Sequence, residues 1–354
     1  MRAKGTRAIR RAVGVLAILS LAFSAAACGG GGSATPAAQD TGPVTLRLGY
    51  FPNLTHAPAM IGLEKGFFSQ ELGSQVTIRT ATFNAGPEAV TAMLSGALDI
   101  AYIGPNPAIN AYAQSNRTGI RIIAGATSGG AALVVKPGIT GAEQLKGKKI
   151  ASPQLGNTQD VALRAWLTAQ GVSVTKEGGE VTIVAQANSQ TLDTFKNGTI
   201  DGAWVPEPWA TRLQLEGGGK VLVDEKTLWP GGKFVTTHVI VRTQFLQQHP
   251  GVVERFLRGH VKAVEFAASS PDEAKTVVNS SLEKLTGKAL KKETIDAAWP
   301  NLLFTVDPIA SSLRKSAADA QRAGLLDAVD LSGIYSLDRL NAVLTALGKP
   351  TVGA

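Results

Sequence analysis

Short apolar runs alternate with amphipathic segments through the first two thirds of the chain, which is the pattern of an α/β protein. Residues 44–50 alternate and then become apolar, so they predict a strand, and residues 59–67 place apolar side chains on one helical face. The order of strand, loop and helix returns over residues 149–170. Residues 120–126 and 132–136 are further apolar runs, which predict either a strand pair or the first crossing between two lobes.

Beyond Arg242 the pattern becomes helical almost without interruption, because apolar residues recur every three or four positions. Helices are predicted over residues 250–268, 271–285, 292–299, 308–323 and 337–347. Since mixed strands and helices come first and helices follow, we expect the last third of the chain to pack on the first of two lobes. The predicted lobe one is residues 44–130 with 240–354, and lobe two is residues 131–239, with residues 236–242 as the return crossing.

A ten-residue pattern occurs twice in the first two thirds of the chain. The segment 94–103, L-S-G-A-L-D-I-A-Y-I, aligns without a gap on 196–205, K-N-G-T-I-D-G-A-W-V, at an offset of 102, and a Pro-rich loop follows each copy. The tripeptide V-T-I stands upstream of both, at 76–78 and at 181–183. The simplest interpretation is two α/β units of like layout with a site in the cleft between them. The alternative is that G-x-[LI]-D is a common way to end a helix and begin a strand.

Two predicted helix starts in the first unit stand beside glycine, at Gly86 with Pro87 and at Gly104 with Pro105. Proline suits the first helical turn because the N–H group that it lacks would have no partner within the helix there. Little side chain then covers the free N–H groups and the positive end of the helix dipole. Such places are natural sites for an anion or a polar oxygen.

The N-terminus has basic residues, an apolar run over residues 12–23 and small residues up to Cys28, which are the features of a secretory signal peptide. Cys28 is the only cysteine, and its position resembles that of the lipobox cysteine of bacterial lipoproteins, which is acylated after cleavage. We therefore expect a signal peptide over residues 1–27, a lipid anchor on Cys28 and a flexible tether over residues 28–43. The alternative is a free protein cleaved after an A-x-A pattern, since Ala25 stands where the lipobox prefers leucine.

The formal charge of +8 falls to +3 when the five basic residues of the predicted signal peptide are removed. No stripe of Lys and Arg with interleaved aromatic residues remains, which argues against nucleic acid as a partner. The four histidines show no metal-binding spacing, and the chain has no nucleophile elbow, Walker loop or dinucleotide fingerprint. These absences argue against a catalytic centre, and we predict no catalytic residues, metal or cofactor.

Polar and aromatic residues follow the predicted strands, at the edge where open α/β sheets bind ligands. For Asn84, Asn157 and Thr158 the alternative role is helix capping, and His56 is as suited to hold its loop as to touch a ligand. Trp209 begins a helix beyond a Pro-rich loop and is the aromatic residue that we place in the cleft. The predicted ligand-binding residues are Asn53, His56, Asn84, Ala85, Gly86, Pro87, Gly104, Asn106, Asn157, Thr158, Gln159, Glu207, Trp209 and Thr237.

Several stretches resemble the substrate-binding proteins of ABC importers of the nitrate, sulfonate and taurine type. They are G-Y-F-P-N-L-T-H-A-P-A with G-L-E-K-G-F-F over residues 49–68, F-N-A-G-P at 83–87, D-I-A-Y-I-G-P-N-P-A at 99–108, G-N-T-Q at 156–159 and D-G-A-W-V-P-E-P-W at 201–209. The resemblance extends over residues 45 to about 325, and the first and third stretches are most similar to the aliphatic sulfonate branch.

The resemblance implies a two-lobe type II periplasmic-binding fold, with an α/β sandwich in each lobe. It also implies a monomer that closes on a small anionic solute, such as an aliphatic sulfonate or taurine, and delivers it to an ABC permease. Nitrate, bicarbonate or a pyrimidine vitamin precursor are alternative solutes. An enzyme on the same fold, with His56 or Glu207 as its base, or a ligand sensor without a permease are alternatives of a different class.

Overall fold

The structure is a computed structural model that describes residues 42–175 and 178–354. The predicted signal peptide, the predicted lipidation site at Cys28 and all but the last two residues of the predicted tether lie outside this part of the chain. Within it, no helix combines the length and the apolar character needed to cross a membrane.

The described residues form eleven strands and thirteen α-helices. In chain order the strands are β1 (Val44–Tyr50), β2 (Val76–Thr82), β3 (Ile100–Ile103), β4 (Ile120–Gly129), β5 (Ala131–Val135), β6 (Lys149–Ser152), β7 (Thr182–Ala185), β8 (Gly202–Pro206), β9 (Lys220–Asp224), β10 (Val235–Arg242) and β11 (Leu302–Phe304). The helices are α1 (Ala57–Glu64), α2 (Phe67–Leu72), α3 (Gly86–Leu94), α4 (Pro105–Gln114), α5 (Thr158–Ala169), α6 (Asn188–Lys196), α7 (Trp209–Leu215), α8 (Thr243–Gln248), α9 (Pro250–Ser269), α10 (Pro271–Thr286), α11 (Lys292–Ala298), α12 (Ala310–Arg322) and α13 (Asp338–Ala346).

The strands build two sheets of like topology. The first sheet has the order β2-β1-β3-β10-β4-β11 and the second has the order β7-β6-β8-β5-β9. In both, the first three strands are parallel, and the next two continue the sheet in antiparallel fashion. Strand β11 is an addition at the edge of the first sheet, where it pairs antiparallel with β4. The two-lobed α/β architecture that the sequence predicts is therefore present.

Matching hydrogen bonds support the internal repeat. The Asp99 carboxylate accepts from the Arg47 N–H at 3.0 Å, and the Asp201 carboxylate accepts from the Lys149 N–H at 2.9 Å. Both members of the second pair lie 102 residues after their counterparts, which is the offset seen in the sequence. The V-T-I tripeptides, which are 105 residues apart, are not equivalent positions in the two sheets, because the register matches Arg79 with Thr182, 103 residues later. The duplication therefore extends to the strand pairing.

The chain crosses between the sheets twice. The first crossing takes one residue, because β4 ends at Gly129 and β5 begins at Ala131, and both Gly129 and Gly130 have φ above +70°. Glycine adopts this left-handed backbone region without the steric cost that a Cβ atom brings. The predicted boundary at residue 240 falls inside β10, all of which belongs to the first sheet. We propose that the return crossing ends before Val235, and we keep the predicted lobes with this adjustment.

The helical last third packs on the first sheet, as the sequence predicts. Val252 and Phe256 of α9 and Leu344 of α13 share one buried cluster with Leu46 and Leu48 of β1. Two helices of this region also touch the second unit, because α11 contacts α7 and α12 contacts α5. The C-terminal third therefore contributes to both sides of the space between the sheets.

Candidate functional site

A small buried chamber lies where loops of both sheets meet, at the ends of β1, β3, β6 and β8. Its volume is about 20 Å³. Four helices begin at its wall: Ala85, Gly104 and Asn157 immediately precede α3, α4 and α5, and Asn188 is the first residue of α6. The lining residues are Phe51, Asn53, Thr55, His56, Asn84, Ala85, Gly104, Asn157, Thr158, Gln159, Asn188, Pro206 and Thr236.

None of these four helix starts is capped by a side chain. Helix capping, the alternative role considered for Asn84, Asn157 and Thr158, is therefore not the role of these side chains. Asn157 precedes α5, but its Nδ2 donates to Gln159 Oε1 at 3.2 Å, and Asn84 lies one residue before the cap position of α3. Because the first N–H groups of a helix have no partner within it, four sets of uncapped N–H donors surround the chamber.

Two buried polar atoms of the chamber wall have no hydrogen-bond partner in the described part of the chain. They are Thr158 Oγ1 and Asn188 Oδ1, on side chains that are each only 6% exposed. A buried polar atom without a partner costs on the order of 1–3 kcal/mol, so each of these two atoms is a candidate partner for a bound water or ligand. Both lie on the second lobe's side of the chamber, at the starts of α5 and α6.

His56 presents a neutral imidazole to the chamber. The Phe51 N–H donates to Nδ1 at 3.3 Å, so Nδ1 is unprotonated and the proton of the neutral ring is on Nε2. Burial lowers the pKa of His56 to about 3. The ring can therefore donate a hydrogen bond from Nε2, whereas its lone pair is already used. This arrangement does not suit a general base, which was the role considered for His56 in an enzyme.

The two lobes are in close contact around the chamber. Trp209 Nε1 of α7 donates to Asn53 Oδ1 of the β1 loop at 2.9 Å. A Cβ atom added to Gly104 would lie 3.3 Å from Thr158 Cβ and closer still to its Oγ1, and one added to Gly86 would lie 3.0 Å from the Asn157 side chain. The structure is thus a closed form in which loops of one lobe touch helix starts of the other.

Eight of the predicted ligand-binding residues line the chamber: Asn53, His56, Asn84, Ala85, Gly104, Asn157, Thr158 and Gln159. Of the others, Gly86 and Pro87 form the first turn of α3, and Asn106 points away, with its Nδ2 donating to a backbone carbonyl of α12 at 3.1 Å. Thr237 follows Thr236 on β10, whose pairing with β4 is irregular on both sides of Thr237, and only Thr236 lines the chamber. Ligand contact by these four residues stays a prediction.

Glu207 lies outside the chamber, in the connection between the lobes. Its carboxylate accepts from Asn301 Nδ2 at 2.7 Å, from Thr211 Oγ1 at 2.9 Å and from the Thr211 N–H at 3.1 Å, and its backbone carbonyl accepts from the Leu54 N–H at 3.1 Å. Burial raises the pKa of Glu207 to about 7, against the effect of these hydrogen bonds. These contacts give Glu207 a structural task, and a direct contact of its carboxylate with ligand stays a prediction.

The sequence analysis missed Asn188 and Pro206, and the internal repeat contains the signal that would have found them. The offset of 102 places Asn188 opposite Gly86 and Pro206 opposite Gly104, so each occupies the helix start or strand end that matches a predicted site. Applying the repeat to the site, and not only to the strands, identifies both. The remaining missed residues, Phe51, Thr55 and Thr236, lie beside predicted ones and carry no separate sequence signal.

A larger groove, here called the outer groove, lies beside the chamber. Its volume is about 480 Å³, and Trp209 lies on its wall. The groove and the chamber share three lining residues, Asn53, Asn84 and Asn188. The predicted aromatic residue of the cleft therefore lies in the outer groove, next to the three asparagines that line both spaces.

The chamber is lined by neutral groups alone. No Lys, Arg, Asp or Glu is among its lining residues. Arg164, the nearest cation along α5, is held by Asp160, whose carboxylate accepts from Arg164 Nε at 3.1 Å. In residues 42–175 and 178–354, no three His, Cys, Asp or Glu side chains come together as a possible metal site. Amide, hydroxyl and imidazole donors with helix N–H groups suit the oxygens of a small anion.

Comparison with known proteins agrees with this picture. The sequence model of the NMT1-like family matches residues 39–281, well over half of the chain. A taurine-binding periplasmic protein of Escherichia coli strain K12 is 32% identical over 216 residues, which are 61% of this chain and 64% of that protein. The match thus spans less than two thirds of that relative. A Bacillus subtilis strain 168 protein, named provisionally as binding aliphatic sulfonates, is 26% identical over 315 residues, 87% of each chain.

Solved structures share the fold. The alkanesulfonate-binding protein SsuA of Xanthomonas axonopodis pv. citri, solved bound to MOPS, superposes with a TM-score of 0.67 at 18% identity, over 81% of this chain and 96% of that one. At this identity the likeness concerns the fold alone. It confirms the two-lobe periplasmic-binding fold that the sequence predicts.

Proposed function

We propose, from the premise that this chain belongs to the NMT1-like family, that it is the solute-binding protein of an ABC importer. It captures a small anionic solute between its lobes, outside the cytoplasm, and delivers the solute to a membrane permease. The observation that carries the proposal is the chamber, where four uncapped helix starts and two unpartnered buried polar atoms converge without any charged residue. Such a surface offers many hydrogen bonds and no evident reaction chemistry.

The solute that we propose is an aliphatic sulfonate or taurine. A sulfonate carries one charge over three oxygens, so several neutral donors aimed from different directions can satisfy it without a cation. The donors available here are the helix N–H groups, the Thr158 hydroxyl, the His56 Nε2–H and the free amides of the wall. The names of two relatives, one taurine-binding and one assigned to aliphatic sulfonates, favour this class.

A smaller oxyanion, nitrate or bicarbonate, is the second candidate. The closed chamber of about 20 Å³ favours it, because that volume is close to the space of a single water molecule. A sulfonate with an organic tail needs the tail to extend toward the outer groove, or the lobes to separate slightly. The size of the bound anion therefore decides between the two candidates.

The enzyme alternative has little support in the geometry. The Nδ1 lone pair of His56 is used by a backbone N–H, and the carboxylate of Glu207 is fully engaged outside the chamber. We therefore propose a binding protein and not a lyase or synthase. We further propose that it acts as a monomer, held at the outer face of the cell membrane by a lipid on Cys28 and by the tether over residues 28–43.

A thermal-shift screen of the purified protein, followed by calorimetry, tests the function. The panel is methanesulfonate, taurine, longer alkanesulfonates, sulfate, nitrate, bicarbonate and an aminopyrimidine. A ligand at a hundredfold excess over its dissociation constant stabilises a protein by about 2.7 kcal/mol. Stabilisation by sulfonates alone supports the first candidate, and stabilisation by nitrate or bicarbonate alone replaces it with the second. Stabilisation by the aminopyrimidine alone would keep the importer and replace its solute, and if no compound of the panel stabilises the protein, the importer proposal fails.

A pair of variants tests the site itself. Thr158→Ala removes the unpartnered hydroxyl of the chamber, and we expect about a fivefold loss of affinity, since one neutral hydrogen bond contributes about 1 kcal/mol. Thr294→Ala is the matched control, because Thr294 also has a buried hydroxyl without a partner in the described residues but lies on α11, outside the chamber. Equal affinity in both variants and the wild type would place the anion elsewhere.

A further inference from the structure

The outer groove has two walls of different origin. One wall is the face of α7, with Trp209, Arg212 and Glu216. The other is the end of α10 and the loop after it, with Leu285 and further residues up to Lys291. This second wall comes from the helical last third of the chain, which the sequence analysis did not connect with the site.

The groove is large enough for a substantial part of a ligand. Its volume of about 480 Å³ lies in the range of pockets that bind organic molecules, whereas the inner chamber does not. Leu285 is 38% exposed, so the wall offers an apolar side chain that is not covered by the fold. Trp209, Leu282 and Leu290 add further apolar surface. An alkyl or aromatic segment would be removed from water here.

The charges along the groove are mostly positive. Arg212, Lys288 and Lys291 face one carboxylate, Glu216, which accepts from Arg212 Nε at 2.7 Å and from its second guanidinium nitrogen at 3.3 Å. Arg212 and Glu216 therefore satisfy each other. Lys288 has no ion-pair partner among the described residues, and Lys291 approaches only the exposed Glu293, at 3.8 Å. The hydrogen bond and charge of Arg212 lower the pKa of Glu216 most, and the charges of Lys291 and Lys288 lower it further. The two lysines therefore act electrostatically on the opposite wall of the groove.

The chamber and the groove are adjacent. Asn53, Asn84 and Asn188 line both, and Asn188 Oδ1 is one of the unpartnered buried atoms. A ligand with its anionic group in the chamber and a tail that extends past these three residues would lie against Trp209 and Leu285. The same groove holds Lys288 and Lys291, the two lysines without a strong partner.

We propose that the protein binds elongated amphipathic dianions, with one oxyanion in the chamber, an apolar segment in the outer groove and a second anionic group at Lys288 and Lys291. The inference rests on the proposed function, because it takes the chamber as the site of the first anionic group. It assigns the C-terminal third of the chain a part in selecting the solute. The solute class is then an alkane or aryl sulfonate that carries a second acidic group.

Calorimetry with two matched ligand series tests the inference on the full-length protein. One series is methane-, propane-, hexane- and decanesulfonate, and the other is the α,ω-disulfonates of three, six and ten carbons. Affinity should rise with chain length, by up to about fourfold for each methylene that becomes fully buried. At the best length the disulfonate should bind roughly twofold to tenfold more tightly than the monosulfonate, because exposed ion pairs are weak individually.

Charge variants identify the source of any preference for the disulfonate. In K288Q with K291Q the preference should disappear, while methanesulfonate binds as in the wild type. The control is K284Q with K292Q, which removes the same charge from the same part of the chain, since Lys284 pairs with Glu64 and Lys292 with Asp296, outside the groove. The preference should survive in this control.

The outcomes separate the inference from the proposed function. If methanesulfonate binds but disulfonates bind no better than monosulfonates at any length, the second anionic subsite is refuted and the function stands. A preference that both double variants lose equally is a general field effect and also refutes the subsite. If no sulfonate of either series binds, the sulfonate function and the inference fall together.

Discussion

Replacing Gly104 by alanine is expected to hold the cleft open while each lobe stays folded. Gly104 precedes α4 with a φ of −70°, a backbone conformation that alanine adopts without strain. The added methyl group would point at the opposite lobe, less than 3.0 Å from Thr158 Oγ1 and 3.3 Å from Thr158 Cβ. It therefore acts as a wedge between the lobes and not as a defect inside one of them.

The size of the effect follows from the crowding at this contact. Ordinary contacts of a Cβ atom begin at 3.4 Å, and Thr158 is only 6% exposed and starts a helix, so it has little room to retreat. Overpacking of this kind costs about 1–3 kcal/mol. The free protein avoids this overpacking energy when its lobes separate, so the energy is spent only when the lobes close on a ligand. At 1.4 kcal/mol for each factor of ten, the affinity should therefore fall about 5-fold to 150-fold.

Calorimetry with the most stabilising anion of the panel measures this loss, and small-angle X-ray scattering measures compaction on binding. We expect weaker binding and less compaction in Gly104→Ala, with the melting temperature of the free protein changed by at most about 2 °C. Gly141→Ala is the control, because Gly141 has an extended backbone and no atom within 4 Å of an added Cβ. Wild-type affinity with full compaction would refute the wedge, and so would a free protein destabilised as strongly as binding is weakened.

Three further predictions concern the hydrogen bond between Trp209 and Asn53, the buried carboxyl of Glu207 and the predicted lipid anchor on Cys28. Trp209→Phe removes the hydrogen bond to Asn53 and should weaken binding about fivefold, and calorimetry on the double-mutant cycle with Asn53→Ala should show non-additive losses, because both single variants break this hydrogen bond. Burial raises the pKa of Glu207 from 4.5 to about 7, so the unfolded chain ionises first and stability falls by roughly 3 kcal/mol as pH rises through this window. Glu207→Gln should reduce, and not abolish, the decline of melting temperature between pH 5 and pH 8, because burial also raises the pKa of Glu225 to about 7, and an unchanged slope would contradict the assignment. Cys28→Ala should move the protein from the membrane fraction to the soluble fraction, as immunoblotting of the two can show; retention in the membrane would exclude the lipid anchor.

Local patterns in the sequence were sufficient to find the layout of the fold and much of the chamber. Apolar periodicity predicts the strands and helices, and proline beside glycine predicts the helix starts at Gly86 and Gly104. Ligands bind where loops follow parallel strands. The polar residues of those loops therefore include most of the residues that line the chamber. Helix α12 shows the limit at the boundaries, since it begins at Ala310 and not at Pro308, after Ile309 takes a φ of +44°.

The sequence by itself thus determined two repeated α/β units, a helical last third and the helix starts at which an anion can bind. Only the tertiary structure decided which side chains face the chamber, because that depends on strand register and on the closure of one lobe over the other. On β10 the pairing with β4 is irregular at Thr237, and Thr236 lies in the chamber wall while Thr237 does not, a difference that the sequence pattern does not show. Chain folding also brings Lys288 and Lys291 beside Trp209, about eighty residues earlier in the chain, and no local pattern carries information about a contact over that separation.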